Sequence, residues 1–333
     1  MTNIDLDDFL DFSEQVGLNS LLVQGAGGNS SVKYDNKLYI KASGKLLARA
    51  REPFSFVEVN HNEILSSLNL NKELNFKSFF PNDNLRPSIE TYLHSVLPYK
   101  YVFHVHCINT IVHLIQENNS NELSIKLEGI NWIKVPYIKP GFDLAKKIEE
   151  LFSGENVILL ENHGLLVGAD NLITIKELLN EVSSRLNITK RDNKTLNLSA
   201  INKFSLNSLY SPVEDSAIHQ IAFNNDLIRI AESGSLYPDH VVFLGRAVKI
   251  IKNQSEFINI QISSASKPKL LIIPNMGVLT INSITKSELE MVRALFEILM
   301  RLPINSKVKY LSKDDEMNLL NWDAEKYRQS INE

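Results

Sequence analysis

A single cysteine, Cys107, stands among 333 residues, so no disulfide can close within this chain. A reducing, cytoplasmic setting is the simplest reading of that scarcity. Charge of one sign is equally scarce. Thirty-five basic side chains against 39 acidic ones leave a formal net charge of -4, which gives no electrostatic footprint for nucleic acid or an anionic membrane surface. No stretch approaches the roughly 18 consecutive apolar residues of a membrane span. The opening residues, Met1-Thr2-Asn3-Ile4-Asp5, lack the basic start and apolar run of a signal peptide. Asn-x-Thr matches such as Asn187-Ile188-Thr189 therefore carry no glycosylation meaning. What is present, 44% hydrophobic and 22% charged residues, is the composition of a soluble globular protein able to bury a core. The length suits one large domain or two of ordinary size.

Periodicity predicts a helix over 4–16, with Leu6, Phe9, Leu10 and Phe12 near helical spacing and Gly17 as its stop. After a glycine-rich turn at 25–28, Ser31–Tyr34 and Leu38–Lys41 alternate as a hairpin does. Phe56–Val59 reads as a strand, and Asn60 with Glu63 as a capping box opening a short helix. Pro87 suits the first turn of a helix running to about Leu97. Further on come a strand at 101–106, helices from 108 and over 142–152, strands at 157–160 and 165–167, and a long helix over 172–191. The polar stretch 192–211 reads as a linker. Beyond it, helices are expected over 215–232 and 285–301, with strands near 241–251 and 270–281. The pattern predicts an α/β (α+β) protein, a three-layer α/β/α domain over 1–195 on a mostly antiparallel sheet, and a smaller α+β domain over 196–333.

The second half holds an echo of the first. Val157-Ile158-Leu159-Leu160-Glu161-Asn162-His163-Gly164 and Leu270-Leu271-Ile272-Ile273-Pro274-Asn275-Met276-Gly277 share a pattern at a constant offset, since 275 − 162 = 113 and 277 − 164 = 113. A degenerate repeat and a chance likeness of two strand-turn-strand segments both fit.

Four features carry chemistry. His104-Val105-His106 on a strand turns both imidazoles to one face. Neutral imidazole is the commonest metal ligand, and a third would leave a coordination position open. A lone His-x-His is nonetheless more often structural. His163, between Asn162 and Gly164 in a turn after a buried strand, could supply the third ligand or be an ordinary turn residue. Glu90, in Arg86-Pro87-Ser88-Ile89-Glu90, is placed in the first turn of a helix, where the helix dipole favours a carboxylate; near a metal it could also move a proton. Gly25-Ala26-Gly27-Gly28-Asn29-Ser30-Ser31 lacks the third glycine and following helix of a dinucleotide site. Its free backbone N–H groups could still cradle an anion, as could Ser43-Gly44 between Lys41 and Lys45.

These pieces, Asn29, Ser43-Gly44, Pro87-Ser88-x-Glu90, His104-x-His106 and Asn162-His163-Gly164, occur in the order seen in the class II aldolase/adducin family, which the chain resembles over roughly residues 1–190. The resemblance implies a zinc ion, or another divalent cation, on His104, His106 and His163, with Glu90 as catalytic acid/base. It places a substrate phosphate among Asn29, Ser43, Gly44 and Ser88. Ile89 departs from the pattern, standing where sugar-phosphate aldolases often carry a second serine. No C-terminal catalytic tyrosine can be carried over. Tyr237-Pro238-Asp239-His240-Val241, Ile273-Pro274-Asn275-Met276-Gly277 and Asn321-Trp322 resemble the aldolase half of bifunctional rhamnulose-1-phosphate aldolase/alcohol dehydrogenases, with this chain as the aldolase portion standing alone.

The implied activity is a carbon–carbon lyase acting on a ketose phosphate or related sugar through an enediolate. Epimerisation, dehydration or decarboxylation of a sugar phosphate or sugar acid fits the same site. A non-enzymatic adducin-like binding module is the reading of another class. The partners expected are a small carbohydrate and further copies of the chain in a homo-oligomer.

Overall fold

A computed structural model describes residues 6–79, 85–191 and 196–331. The chain groups into two compact units: one takes in the residues up to Leu114, Asn118–Asn187 and the tail from Trp322, and the other takes in Ile115–Glu117 and Ile188–Asn321.

The first unit runs α1 (Leu6–Leu18), β1 (Asn29–Tyr34), β2 (Lys37–Lys41), β3 (Phe56–Asn60), α2 (His61–Asn69), α3 (Thr91–Val96), β4 (Tyr101–Val105), α4 (Ile108–Leu114), α5 (Ser120–Lys126), β5 (Trp132–Val135), α6 (Phe142–Leu151), β6 (Val157–Leu160), β7 (Gly164–Ala169) and α7 (Leu172–Arg185). Its seven strands form one sheet in the order β3-β2-β1-β4-β7-β6-β5. All neighbours are antiparallel except β5 and β6.

Alternation along the strands builds a core on each face, because successive side chains point to opposite sides. Tyr101, Phe103, Val105, Leu165 and Val167 pack with Phe9 of α1 and with Ile175, Leu179 and Val182 of α7. Val102, Ile158, Leu160 and Leu166 pack the other way, with Ile64 of α2, Leu93 of α3 and Ile148 of α6. Helix, sheet and helix therefore make three layers. Phe9 is fully buried and meets Tyr39, Phe56, Tyr101 and Phe103 by edge or face, which anchors α1 to the sheet.

Several local expectations need correction. Gly17 does not end α1; a Cβ there would lie 2.2 Å from the Ala48 nitrogen, so its role is close approach to the turn at Leu47–Arg49. Pro87 lies outside α3 in an extended segment that bridges to Ala42, and Glu90 is the N-cap residue. Its side chain makes no capping bond, so the dipole argument does not explain it. The long helix stops at Arg185, short of 191.

The main segment of the second unit begins at Ile188, ahead of the presumed linker, and takes it in. Residues 192–195 lie outside the described residues, but α8 (Ser199–Phe204) and β8 (Tyr210–Pro212) follow, so 199–212 is structured. A 3₁₀ segment (Ser216–Phe223) precedes α9 (Asn225–Ser233), broken at Asn224, whose side chain accepts from the Asp226 and Leu227 N–H groups and starts a new helix. Val241–Leu244 is not a strand but part of a π-helical turn (His240–Leu244), every residue of which is buried. A short fully buried apolar run looks alike in either state. Then come β9 (Lys249–Ile250), α10 (Gln254–Ile262), β10 (Leu270–Ile273), β11 (Gly277–Ile281), α11 (Lys286–Leu299) and α12 (Lys313–Leu320). The tail forms α13 (Asp323–Ser330) in the first unit.

The four-stranded sheet of the second unit has the order β8-β11-β10-β9, and β4-β7-β6-β5 in the first is arranged the same way. In both, the last two strands are parallel and the others antiparallel. The offset of 113 holds in the register, with Leu160 opposite Gly164 and Ile273 opposite Gly277. Asn162 and Asn275 both turn the hairpin at positive φ, 51° and 60°. Where β7 sets Leu166 opposite His104, β11 sets Leu279 opposite Pro212.

Candidate metal centre and active site

The three histidines expected to act together do converge. His104 lies in β4, His106 just beyond its end, and His163 in the turn joining β6 to β7, the neighbour of β4. One candidate ligand atom from each lies within 4.8 Å of the others, and all three residues are buried. The His104 and His106 Nε2 atoms are 3.0 Å apart. Two backbone features permit this. Asn162 accepts the left-handed conformation that aims His163 back over the sheet edge. Gly164 lets β7 approach β4, since a Cβ there would stand 2.5 Å from the Val105 carbonyl oxygen.

The donor set fits a divalent cation. His104 Nδ1 faces the Leu165 carbonyl oxygen at 3.2 Å, so Nδ1–H donates and the Nε2 lone pair is turned to its partners. A hydrogen bond of this kind orients metal-binding imidazoles. Three neutral imidazoles and a carboxylate suit zinc and related ions.

Glu90 completes the cluster. One carboxylate oxygen is 3.4 Å from His104 Nε2, and the other 3.3 Å from His163 Nε2. Burial raises its pKa, but without a metal the positive charge that the imidazoles of His104, His163 and His106 can carry, with the Asn29 amide, outweighs that and lowers it. Asn29 stands opposite His104 in the β1–β4 register and donates from Nδ2 to Glu90 Oε2 at 2.8 Å.

His94 was missed by sequence reasoning. Its Nε2–H donates to Asn29 Oδ1 at 2.5 Å, and its Nδ1 accepts from the Ser31 hydroxyl at 2.7 Å. Burial is the main reason that its pKa falls to about 3, keeping the ring neutral in this chain of bonds from Ser31 to Glu90. The spacing Glu90-x-x-x-His94 was its sequence signal.

The remaining candidates form a second group through backbone pairing. Ser43 N–H donates to the Arg86 carbonyl at 2.8 Å, and Ser88 N–H donates to the Lys41 carbonyl at 3.1 Å. Ser88 Oγ accepts from the Glu90 N–H at 3.2 Å, which ties this group to the histidine cluster. Gly44 takes φ 78°, and the tail fills its open side: a Cβ would meet Ile331 at 3.1 Å and the Arg328 carbonyl at 3.4 Å. The notion of an open phosphate turn at Gly44 did not foresee that cover.

Residues 9–188 match the family described as the class II aldolase and adducin N-terminal domain, more than half of the chain, and the chain belongs to that family. Among curated proteins, the uncharacterized oxidoreductase YuxG of Bacillus subtilis (strain 168) is 28% identical over 172 residues, 46% of this chain and 25% of that protein. The alignment thus spans about a quarter of that relative's length. A solved N-terminal class II aldolase domain of a conserved protein from Thermoplasma acidophilum is 27% identical, covering 56% of this chain and 93% of that one at a TM-score of 0.48. An l-fuculose-1-phosphate aldolase from Thermus thermophilus is 18% identical, covering 53% and 91% at a TM-score of 0.40. Among the described residues no helix is long and apolar enough to cross a membrane.

Proposed function

We propose that this protein is a zinc-dependent aldolase-type lyase that makes or breaks the carbon–carbon bond next to a carbonyl in a ketose phosphate or related sugar. The observation that carries the reading is the convergence of His104, His106 and His163 on both oxygens of Glu90. A divalent ion on the three imidazoles supplies Lewis-acid stabilisation of the negative charge that develops on the substrate's oxygens.

The protein's own groups supply the rest. Glu90 is buried beside the histidine cluster, placed to take a proton from the substrate carbon and to return it in the cleavage direction. Asn29, fixed by His94, holds Glu90 Oε2 and leaves Oε1 as the proton-carrying oxygen. Ser43 and Ser88 are assigned to the substrate's polar end, supported by the backbone pairing that sets them side by side. The second unit is read as a degenerate repeat without metal chemistry, because Pro212 and Met276 take the places of His104 and His163. A homo-oligomer in a reducing cytoplasm completes the reading, in keeping with Cys107 buried as a free thiol.

The test has two stages. Protein purified without chelator is analysed for bound metal, then assayed against a panel of sugar phosphates in both directions. Bound zinc with retro-aldol turnover supports the reading. Turnover confined to dehydration or decarboxylation rejects the lyase, and protein that takes up no divalent ion favours the adducin-like module.

A further inference from the structure

A cavity of about 150 Å³ lies in the first unit against the segment that carries Ser88 and Glu90, walled by Ser43, Arg86, Ile89, Trp322, Asp323 and Tyr327. That is room for a fragment of about benzene's size. The histidines and Glu90 do not line it, and of its wall only Ser43 has a task in the reading above.

Arg86 is the unusual group in this wall. Its side chain is only 14% exposed, and its guanidinium stacks 3.9 Å over the Tyr327 ring. Among the described residues its guanidinium makes one hydrogen bond, from Nη1 to Asp323 Oδ2 at 3.1 Å. Asp323 is 82% exposed. A planar guanidinium offers five N–H donors in a fork that matches carboxylate or phosphate oxygens. Among the described residues most of that fork is unused, in a half-enclosed cavity, and the carboxylate that touches it is largely exposed to water. An exposed partner of this kind holds weakly and leaves easily, while Tyr327 keeps the guanidinium in place from behind. Glu73 and Lys77 also line the cavity and oppose each other in sign, so Arg86 sets its preference once Asp323 turns away. Across the segment, the Gly44 turn is covered by Ile331 and the Arg328 backbone.

We infer that this cavity is an oxyanion subsite: Arg86 binds the carboxylate or phosphate at the non-reacting end of the substrate, and Asp323 is an internal carboxylate that the ligand displaces. The link to a substrate rests on the reading of the histidine cluster, because Ile89 joins this cavity to Glu90. The anion site itself does not.

Calorimetric titration of the full chain with inorganic phosphate and, separately, with glycolate tests it. At least one anion binds. Tighter phosphate points to a phosphorylated substrate, and tighter glycolate to a sugar acid. Arg86→Leu weakens binding about tenfold or more, the loss of a charge-assisted bond. Arg86→Lys, which keeps the charge but not the fork, falls between and guards against a folding defect in the leucine variant. Asp323→Asn tightens binding up to about fivefold. His163→Ala leaves it unchanged, so failure of the metal or lyase assignment does not disturb this readout. Binding lost in His163→Ala would mean that the anion sits on the histidines and would overturn the inference. So would binding unchanged in both Arg86 variants, or no binding of either anion to the unsubstituted and Asp323→Asn proteins.

Discussion

Replacing Gly164 by alanine tests how closely the histidine cluster depends on the spacing of two strands. The added methyl would stand 2.5 Å from the Val105 carbonyl oxygen, 3.3 Å from His104 Cε1 and 3.4 Å from His106 Cα. Ordinary carbon–oxygen contacts begin near 3.3 Å, so β7 and β4 must separate locally by about 0.8 Å. Forcing extra volume into a packed site of this kind costs about 1–3 kcal/mol. The separation falls between His163 and the two β4-side histidines, so metal affinity should drop by about ten- to a hundredfold, as when the support of a ligand is disturbed. Both tryptophans, Trp132 and Trp322, lie in the first unit, so fluorescence-monitored urea unfolding of chelator-treated protein reports on that unit alone. Zinc affinity is measured by competition with a chromophoric chelator. Unchanged unfolding would refute the steric argument. Lowered stability with undiminished zinc affinity would refute the idea that the three histidines act as one site.

Other perturbations probe separate links. Glu90→Gln should retain zinc by elemental analysis yet lose about 10²–10⁴-fold in turnover, and activity within tenfold would remove Glu90 as the proton carrier. Asn162→Ala forces alanine into the left-handed region at a cost of about 1–2 kcal/mol, whereas Asn162→Gly should be tolerated; equal stabilities would contradict the turn argument. Lys33 is partly buried, with its ammonium donating to the Leu97 and Tyr99 carbonyls. Burial draws its pKa down to about 7 against an ordinary 10.5, with Asp170 opposing. The unfolded chain therefore binds more protons between those two values, and stability should rise with pH across that window by up to about 1.4 kcal/mol per pH unit. Lys33→Met should flatten that slope in urea titrations from pH 7 to 10, and an unaltered slope would assign it elsewhere.

Sequence alone determined what depends on local order. The period-2 runs named the strands around His104, the order of short motifs named the family, and the spacing His104-x-His106 set two imidazoles on one face, because strand geometry leaves side chains no other choice. Local pattern failed where packing chose between equal options. Val241–Leu244 reads as strand or helix until its neighbours bury it, and Pro87 suits a helix start until Ala42 pairs with it. Gly17 and Gly164 look like punctuation, but each marks a second chain segment pressed against the backbone. Tertiary structure alone decided that His94 fixes Asn29 and that the tail beyond Trp322 returns to the first unit to meet Arg86. Each of these joins residues distant in sequence or turned toward one another by the fold. No period or propensity along the chain records such a meeting, because it is set by the space left between elements once they have packed.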